Sequence, residues 1–453
     1  MVERRGKLDI EIRPAVARVE LWRGKEGGEM THTNEKKDVE RSRLMSRLLN
    51  HEDELTNKEH FALNEMFGAH CYSPLEDLVI EREKGIWVWD IEGKKYMDAL
   101  SAYSAHNAGH CHPKIVKELK KICGKLDTTS GAFLHKELGP FKAELATFCG
   151  KDMVWPQNGG VEAWEFALKV SRLWGYSKAK GVPENMAEVI VMHGNFHGRT
   201  IGATSASSEK AYKKGFGPFL PGIVWADYDD VSALKKAITP YTVAIIFEPI
   251  QGEAGIKVPH DGYLKAIRAL CDEHNILMVA DEIQVGLGRT GYKFACDYEN
   301  VVPDLYIIGK ALGGGPIPVS AVAGNDNILG LIEPGMHGST FAGNPLSCRL
   351  ARTYLEILQE EDLANKARVM GEYFKERLEN HIFSPYITEI RGRGLLIGDE
   401  LNRPARPFCE ELKELGLLCK ETHGNIIRLA PPLIIEPEEI DWAVKRIKKV
   451  LEV

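Results

Sequence analysis

No apolar run in this 453-residue chain approaches the roughly 20 residues needed to span a bilayer, which argues against a transmembrane helix. Positive charge is not in excess either. The formal net charge is -7, so a surface built to hold nucleic acid or an anionic membrane is not expected. The nine cysteines are odd in number and scattered, as in a cytoplasmic protein with reduced thiols rather than a disulfide scaffold. Internal repeats and low-complexity segments are absent. Metal ligation has little support. His110-Cys111-His112 is compact, but adjacent residues rarely converge on one ion and no second ligand cluster accompanies it, so no metal is expected. No apolar signal-peptide core opens the chain. Its early arginines (Arg4, Arg5, Arg13, Arg18, Arg23) alternate with Glu3, Asp9, Glu11 and Glu20, whereas transit peptides are poor in acids. A cytoplasmic protein is expected.

The length implies two or three domains. Residues 1–58 are charge-rich and weakly periodic, a partly helical or flexible extension with a loose link at Met30 to Asn34. Residues 59–105 contain an alternating segment that turns at Glu92-Gly93, a hairpin signal, and are expected to begin a small domain. Over residues 106–344 strand and helix patterns alternate. Val189 to Val191, Val243 to Phe247, Ile276 to Ala280 and Leu305 to Ile308 are the strand candidates, and residues 262–275 carry Leu264, Ile267, Leu270 and Cys271 on one helical face. The final part, 345–453, has a helix with Leu350, Tyr354, Ile357 and Leu358 on its apolar side. Shorter strands follow, then a closing helix with Ile440, Ala443, Ile447 and Val450 in one stripe. The pattern predicts an α/β protein. A large domain with a mainly parallel sheet covered by helices would be joined by a smaller α+β domain from both chain ends.

Two of the apolar runs end in ionisable groups: Ile276 to Ala280 leads to Asp281, and Leu305 to Ile308 leads to Lys310. The carboxyl edge of a parallel sheet is where open α/β folds bind ligands. A lysine amine that forms a Schiff base and a carboxylate that keeps a pyridinium nitrogen protonated are what pyridoxal-phosphate chemistry needs. Taken alone, the pair fits a structural ion pair equally well. Gly286-Leu287-Gly288-Arg289-Thr290-Gly291 matches the dinucleotide fingerprint, but no amphipathic helix opens there, and a flexible loop is expected instead. Asn158-Gly159-Gly160-Val161 precedes a clear helix carrying Ala163, Ala167, Val170 and Trp174. It reads as an anion cradle or as a plain glycine turn. Gly338-Ser339-Thr340-Phe341-Ala342-Gly343 adds hydroxyl donors or a tight turn.

In this order the motifs resemble the class III (ω-amino acid) aminotransferases of fold-type I, from about Gly68 to the C-terminus. The resemblance is strongest to the ornithine δ-aminotransferase branch. It is carried by Ser101-Ala102-Tyr103-Ser104-Ala105, residues 194–200, residues 422–428, Glu248-Pro249-Ile250-Gln251-Gly252-Glu253 and Asp281-Glu282-Ile283-Gln284. It implies pyridoxal 5′-phosphate on Lys310, with Asp281 at the pyridinium nitrogen and Gln284 near the phenolic oxygen. Phe196 would lie on the ring face with His197 beside it, and Gly160 and Val161 at the phosphate. Ser339 and Thr340 would come from the other subunit of a homodimer. For substrate it implies Tyr72, Tyr103, Arg199, Glu253 and Arg428. The reaction implied is δ-transamination of L-ornithine with 2-oxoglutarate. N-acetylornithine, 4-aminobutyrate or lysine as donor, or a racemase on the same fold, are the alternatives. The branch usually has threonine at Gly159 and tryptophan at His197. The histidine is common in acetylornithine enzymes.

Overall fold

The structure is a computed structural model that describes residues 32–51 and 54–452. The chain divides into two compact units, Met1–Val79 and Ile80–Val453. In the first, helices His32–His51 and Asn57–Phe67 are described. Thr56 caps the second helix through a capping box with Glu59, whose carboxylate also pairs with Arg47. The loose link expected at Met30 to Asn34 is helical from His32, while Met30 and Thr31 lie outside the described residues.

The second unit is organised around a seven-stranded sheet. Its order is Met153–Gln157, Ser320–Gly324, Leu305–Ile308, Leu277–Asp281, Thr242–Phe247, Glu188–Met192 and Ile223–Ala226. Ser320–Gly324 runs antiparallel to both of its neighbours, and the remaining pairings are parallel. Thr242–Phe247 and Leu277–Asp281 are buried along their whole length, as expected of strands covered on both faces. One face packs against helix Gly160–Tyr176 through Trp164, Ala167, Val170 and Trp174. The other packs against Tyr263–His274 through Leu264, Ile267 and Leu270. The four strands foreseen from apolar runs are all present. Those foreseen by no motif, such as Met153–Gln157 and Ile223–Ala226, are short and interrupted by proline or tryptophan.

A four-stranded sheet joins the hairpin Trp87–Asp90 and Lys95–Asp98 to Ile80–Lys84 on one side and Leu417–Leu418 on the other. A second, antiparallel one contains Ile387–Arg393, Leu396–Leu401, Ile426–Leu429 and Lys420–Thr422. In the closing helix Pro437–Leu451 the buried stripe is Ile440, Ala443, Val444, Ile447 and Leu451, and Val450 is only half-buried. The i, i+4 step from Ile447 reaches Leu451, so the stripe drifts past Val450.

The glycine segment 286–291 is neither a nucleotide loop nor flexible. A Cβ at Gly288 would stand 2.9 Å from Leu358 Cδ1, and one at Gly291 would stand 2.9 Å from Arg368 Cβ. Arg289, fully buried, donates to the carbonyls of Leu395 (2.8 Å) and Pro431 (2.5 Å) and to Asn107 Oδ1 (2.7 Å). The loop is a buried strut.

Candidate active site

Four parallel strands deliver their next residues to one edge of the central sheet. Glu248 follows Phe247, Asp281 ends its strand, Lys310 stands two residues beyond Ile308, and the segment to His197 follows Met192. With Gly160, Val161 and Phe196 they line one cavity. The sheet topology therefore assembles the site from groups far apart in sequence.

Lys310 adopts φ +46°, a left-handed conformation that a β-carbon disfavours. Burial pulls its ammonium below the ordinary lysine range, opposed first by the Glu253 carboxylate and then helped by Arg428. Asp281 is buried, and its Oδ2 lies 2.7 Å from His197 Nδ1 while its Oδ1 accepts the Ile283 N–H at 3.2 Å. The His197 ring stacks on Trp164 at 5.3 Å, and its Nε2 has no hydrogen-bond partner. The Nδ1–H tautomer donating to Asp281 follows from that arrangement. Glu248 accepts the Phe196 N–H at 3.0 Å. Burial, and next the Asp281 charge, push its carboxyl well above the usual range.

At the start of helix Gly160–Tyr176, Glu162 takes the N–H groups of Asn158 (2.7 Å) and Gly159 (3.0 Å). The first-turn N–H groups of Gly160 and Val161 have no intrahelical acceptor, and both residues line the cavity. A Cβ on Gly160 would stand 2.9 Å from Ile283 Cδ1, so a larger residue there would require the Ile283 side chain to shift. Ser339 Oγ accepts from Asn158 Nδ2 at 3.1 Å, while Thr340 is exposed and is not part of this cavity's lining.

A second cluster of charge borders the first. Arg428, fully buried, donates through Nη1 to Glu253 Oε1 (3.0 Å) and Gln284 Oε1 (3.2 Å). Gln284 Nε2 donates to the same Glu253 oxygen at 2.9 Å. Arg428 Nε and Nη2 are buried without partners. Its guanidinium lies 5.1 Å from the Tyr103 ring centre. Tyr103 sits in a turn in which Ser101, Ala102, Tyr103 and Ser104 all have positive φ, a conformation costing about 1–2 kcal/mol per residue. Asp98 Oδ1 holds the turn by accepting from Leu100 N (2.8 Å) and Ser101 N (2.9 Å), and Ser101 Oγ donates to Ala430 O at 2.7 Å.

Arg199 is exposed and lies over the Tyr212 ring at 3.6 Å, with Phe196 edge-on to Tyr212. Tyr72 belongs to the unit Met1–Val79 and is exposed. Sequence reasoning brought together Lys310, Asp281, Gly160, Val161, Phe196, His197 and Gln284. It missed Glu248, Trp164 and Tyr212 as contributors. Glu248 had a signal, since it follows an apolar strand as Asp281 ends one. Trp164 and Tyr212 had none.

The sequence pattern of the family described as Aminotransferase class-III matches residues 68–451. The chain belongs to that family. Within it, the chain is 55% identical over 395 residues to the ornithine aminotransferase of Bacillus subtilis (strain 168), covering 87% of this chain and 98% of that protein. It is 56% identical over 392 residues to the ornithine aminotransferase of Geobacillus sp. (strain WCH70), with 86% and 98% covered. The structure of ornithine aminotransferase from Toxoplasma gondii, crystallised with oxidised glutathione and with PLP partially occupying its active site, superposes with a TM-score of 0.86. The identity there is 39%, over 94% of this chain and 98% of that one. Acetylornithine aminotransferase from Elizabethkingia anophelis gives 0.79 at 43% identity, over 88% and 99%.

Proposed function

We propose that this aminotransferase moves the δ-amino group of L-ornithine to 2-oxoglutarate, giving glutamate 5-semialdehyde and glutamate, with pyridoxal 5′-phosphate held at Lys310. The convergence of Lys310, Asp281 and the Gly160 cradle on one cavity carries this reading. The residues fit the cofactor. A buried amine with a lowered pKa suits an aldehyde, and a buried carboxylate braced by His197 suits a protonated ring nitrogen. Paired N–H groups at a helix N-terminus suit a phosphate. When bound, the cofactor supplies an electron sink that stabilises negative charge at the carbon losing its proton.

The chain's own groups do the rest. Lys310 Nζ takes the proton from the substrate's δ-carbon, Asp281 keeps the ring nitrogen protonated, and His197 Nδ1–H holds Asp281 in place. Phe196 and Gln284 line the cavity, where Phe196 would cover the cofactor's ring face and Gln284 would stand near its phenolic oxygen. Arg199 holds a substrate carboxylate in both half-reactions, with Tyr103 shaping the pocket. Glu253 neutralises Arg428 while the cationic donor is bound, then releases it to receive the α-carboxylate of glutamate. The unpartnered Arg428 Nε and Nη2 support this, because buried charged donors without acceptors are costly until an anion arrives.

The exposed Thr340 and the half-buried Ser339 complete the phosphate site of a second copy in a homodimer. The exposed Phe133, Leu134 and Phe341 give that assembly apolar surface to bury. The domain plan is the extension 1–58, a small domain from 59–105 and 345–453, and a cofactor domain 106–344. The protein acts in the cytoplasm, consistent with the absence of any membrane-crossing helix among the described residues.

N-acetylornithine is the second candidate donor, favoured by the Trp164–His197–Asp281 stack, because histidine at 197 is common in acetylornithine enzymes. Incubation with ornithine and 2-oxoglutarate tests the reading: semialdehyde and glutamate should appear in equal amounts. Turnover of N-acetylornithine, 4-aminobutyrate or lysine without semialdehyde would reject ornithine, and loss of chirality in the recovered amino acid would reveal a racemase.

A further inference from the structure

Outside the cavity, Glu83, His106 and His110 bring one ligand atom each to within 4.8 Å of one another. Glu83 lies on strand Ile80–Lys84, and His110 is tied to the next residue but one by reciprocal backbone bonds with Gly85 (2.9 and 2.7 Å). The His106 ring lies 4.3 Å from the His110 ring. Gly315, at φ +104°, leaves His106 the space in which a Cβ would stand 2.7 Å from its Nδ1.

The decisive atom is His110 Nδ1. The ring is 4% exposed, and its Nε2 lies 2.8 Å from Asp98 Oδ2. When Nε2–H donates to Asp98, Nδ1 carries a bare lone pair. Nδ1 lies 2.7 Å from Glu83 Oε2, an ion pair when Nδ1 carries a proton and a contact of two lone pairs when it does not. Two lone pairs at that separation repel unless a cation stands beside both. A histidine that donates one ring N–H to a carboxylate and turns its other nitrogen to oxygen and imidazole donors has the arrangement of a metal-bound histidine.

We propose that Glu83, His106 and His110 bind a divalent transition cation of the Zn²⁺ type, with Asp98 orienting His110. Two imidazoles and one carboxylate suit Zn²⁺, with water completing a tetrahedral shell. The site departs from the metal-free expectation because its ligands are not the adjacent residues. His112 instead pairs with Glu361 at 3.0 Å, and the Gly85–His110 backbone bridge brings Glu83 and His110 together. The exposed Cys111, with Sγ 3.8 Å from Glu83 Oε1, is a neighbour outside the trio. The rival occupant of the same space is a proton, making His110 an imidazolium between two carboxylates.

The test uses the full-length holoenzyme stripped of metal by a chelator. ZnCl₂ is titrated by calorimetry and CoCl₂ by visible absorption. One ion per chain is expected, together with a rise in melting temperature that the chelator reverses. His106→Asn and the near-isosteric Glu83→Gln should each weaken binding by more than the roughly 10–100-fold typical of outer-shell partners. Both should keep wild-type turnover and wild-type melting in chelator. Absence of stoichiometric binding to the wild type would overturn the site in favour of the proton. Binding that survives both variants but is lost in Cys111→Ser would overturn it in favour of a surface thiol.

Discussion

The two halves of the candidate active site are built differently. The cofactor half consists of strand ends and a helix start: Asp281, Lys310 and Gly160 take their positions from backbone that the central sheet fixes. The substrate half consists of side chains reaching towards one another across the chain. Glu253 meets Arg428 through a single shared oxygen that Gln284 also holds, and Arg199 leans on Tyr212. The first kind of construction is rigid because moving a residue means moving a strand. The second can rearrange by rotating one side chain, which an enzyme handling a cationic donor and a dicarboxylate acceptor in one pocket requires.

If the halves are separable, mutations should sort between them. Lys310→Ala should lower turnover by about 10⁴-fold or more, the upper end for a proton-transferring group. It should also abolish the borohydride-reducible visible absorbance of the holoenzyme. Retention of that absorbance would misplace the cofactor. Arg428→Met should lower kcat/KM for 2-oxoglutarate about 100-fold, within the loss expected when one partner of a buried charge pair is removed. Cofactor retention on gel filtration should be unchanged, and parallel loss of cofactor would join the two halves into one.

Tyr212→Leu removes the surface on which Arg199 rests. An exposed cation–π contact contributes about 0.5–1 kcal/mol, so KM for ornithine and for 2-oxoglutarate should each rise by about 2–5-fold with kcat nearly constant. A fall in kcat alone would show that Arg199 is positioned by something else. The smallest expected effect links the halves. Because the Glu253 carboxylate raises the pKa of Lys310 against desolvation, Glu253→Gln should move it further below the lysine range. The pH dependence of reductive methylation of Lys310 in the apoprotein checks this, and an upward move would reverse the assigned sign. The lowered pKa also means that the unfolded chain binds more protons than the folded one between the folded pKa and the free-lysine value. Lys310 therefore costs stability at neutral pH, and this cost disappears as pH rises towards that of free lysine.

The same division explains what was legible in the sequence. Lys310 and Asp281 stood out because strands buried on both faces read as unbroken apolar runs, and a charge at the end of such a run is conspicuous. Gly160 stood out because a helix with a clear stripe follows it. No periodicity could pair Glu253 with Arg428, 175 positions apart. That pairing came only from family resemblance, as did Tyr103 and Arg199. Trp164 is core, and its contact with His197 is invisible to pattern. The glycine segment at 286–291 was misjudged because glycine marks tight packing as readily as mobility, and here Leu358 and Arg368 occupy the space that side chains would need. The cluster of Glu83, His106 and His110 escaped notice because its members meet only when the Gly85–His110 bridge forms.

The left-handed turn at Ser101–Ser104 also constrains the order in which the molecule can be made. The turn is fastened at its start by Asp98, but Ser101 Oγ closes on the carbonyl of Ala430, whose own N–H returns to Ala99. Residues 101 and 430 emerge from the ribosome more than three hundred positions apart. Tyr103 is therefore held in its strained place only near the end of synthesis, after the cofactor cavity has had its full complement of strands. A nascent chain passes through a stage at which every strand of the central sheet has been made and the partner of Ser101 has not.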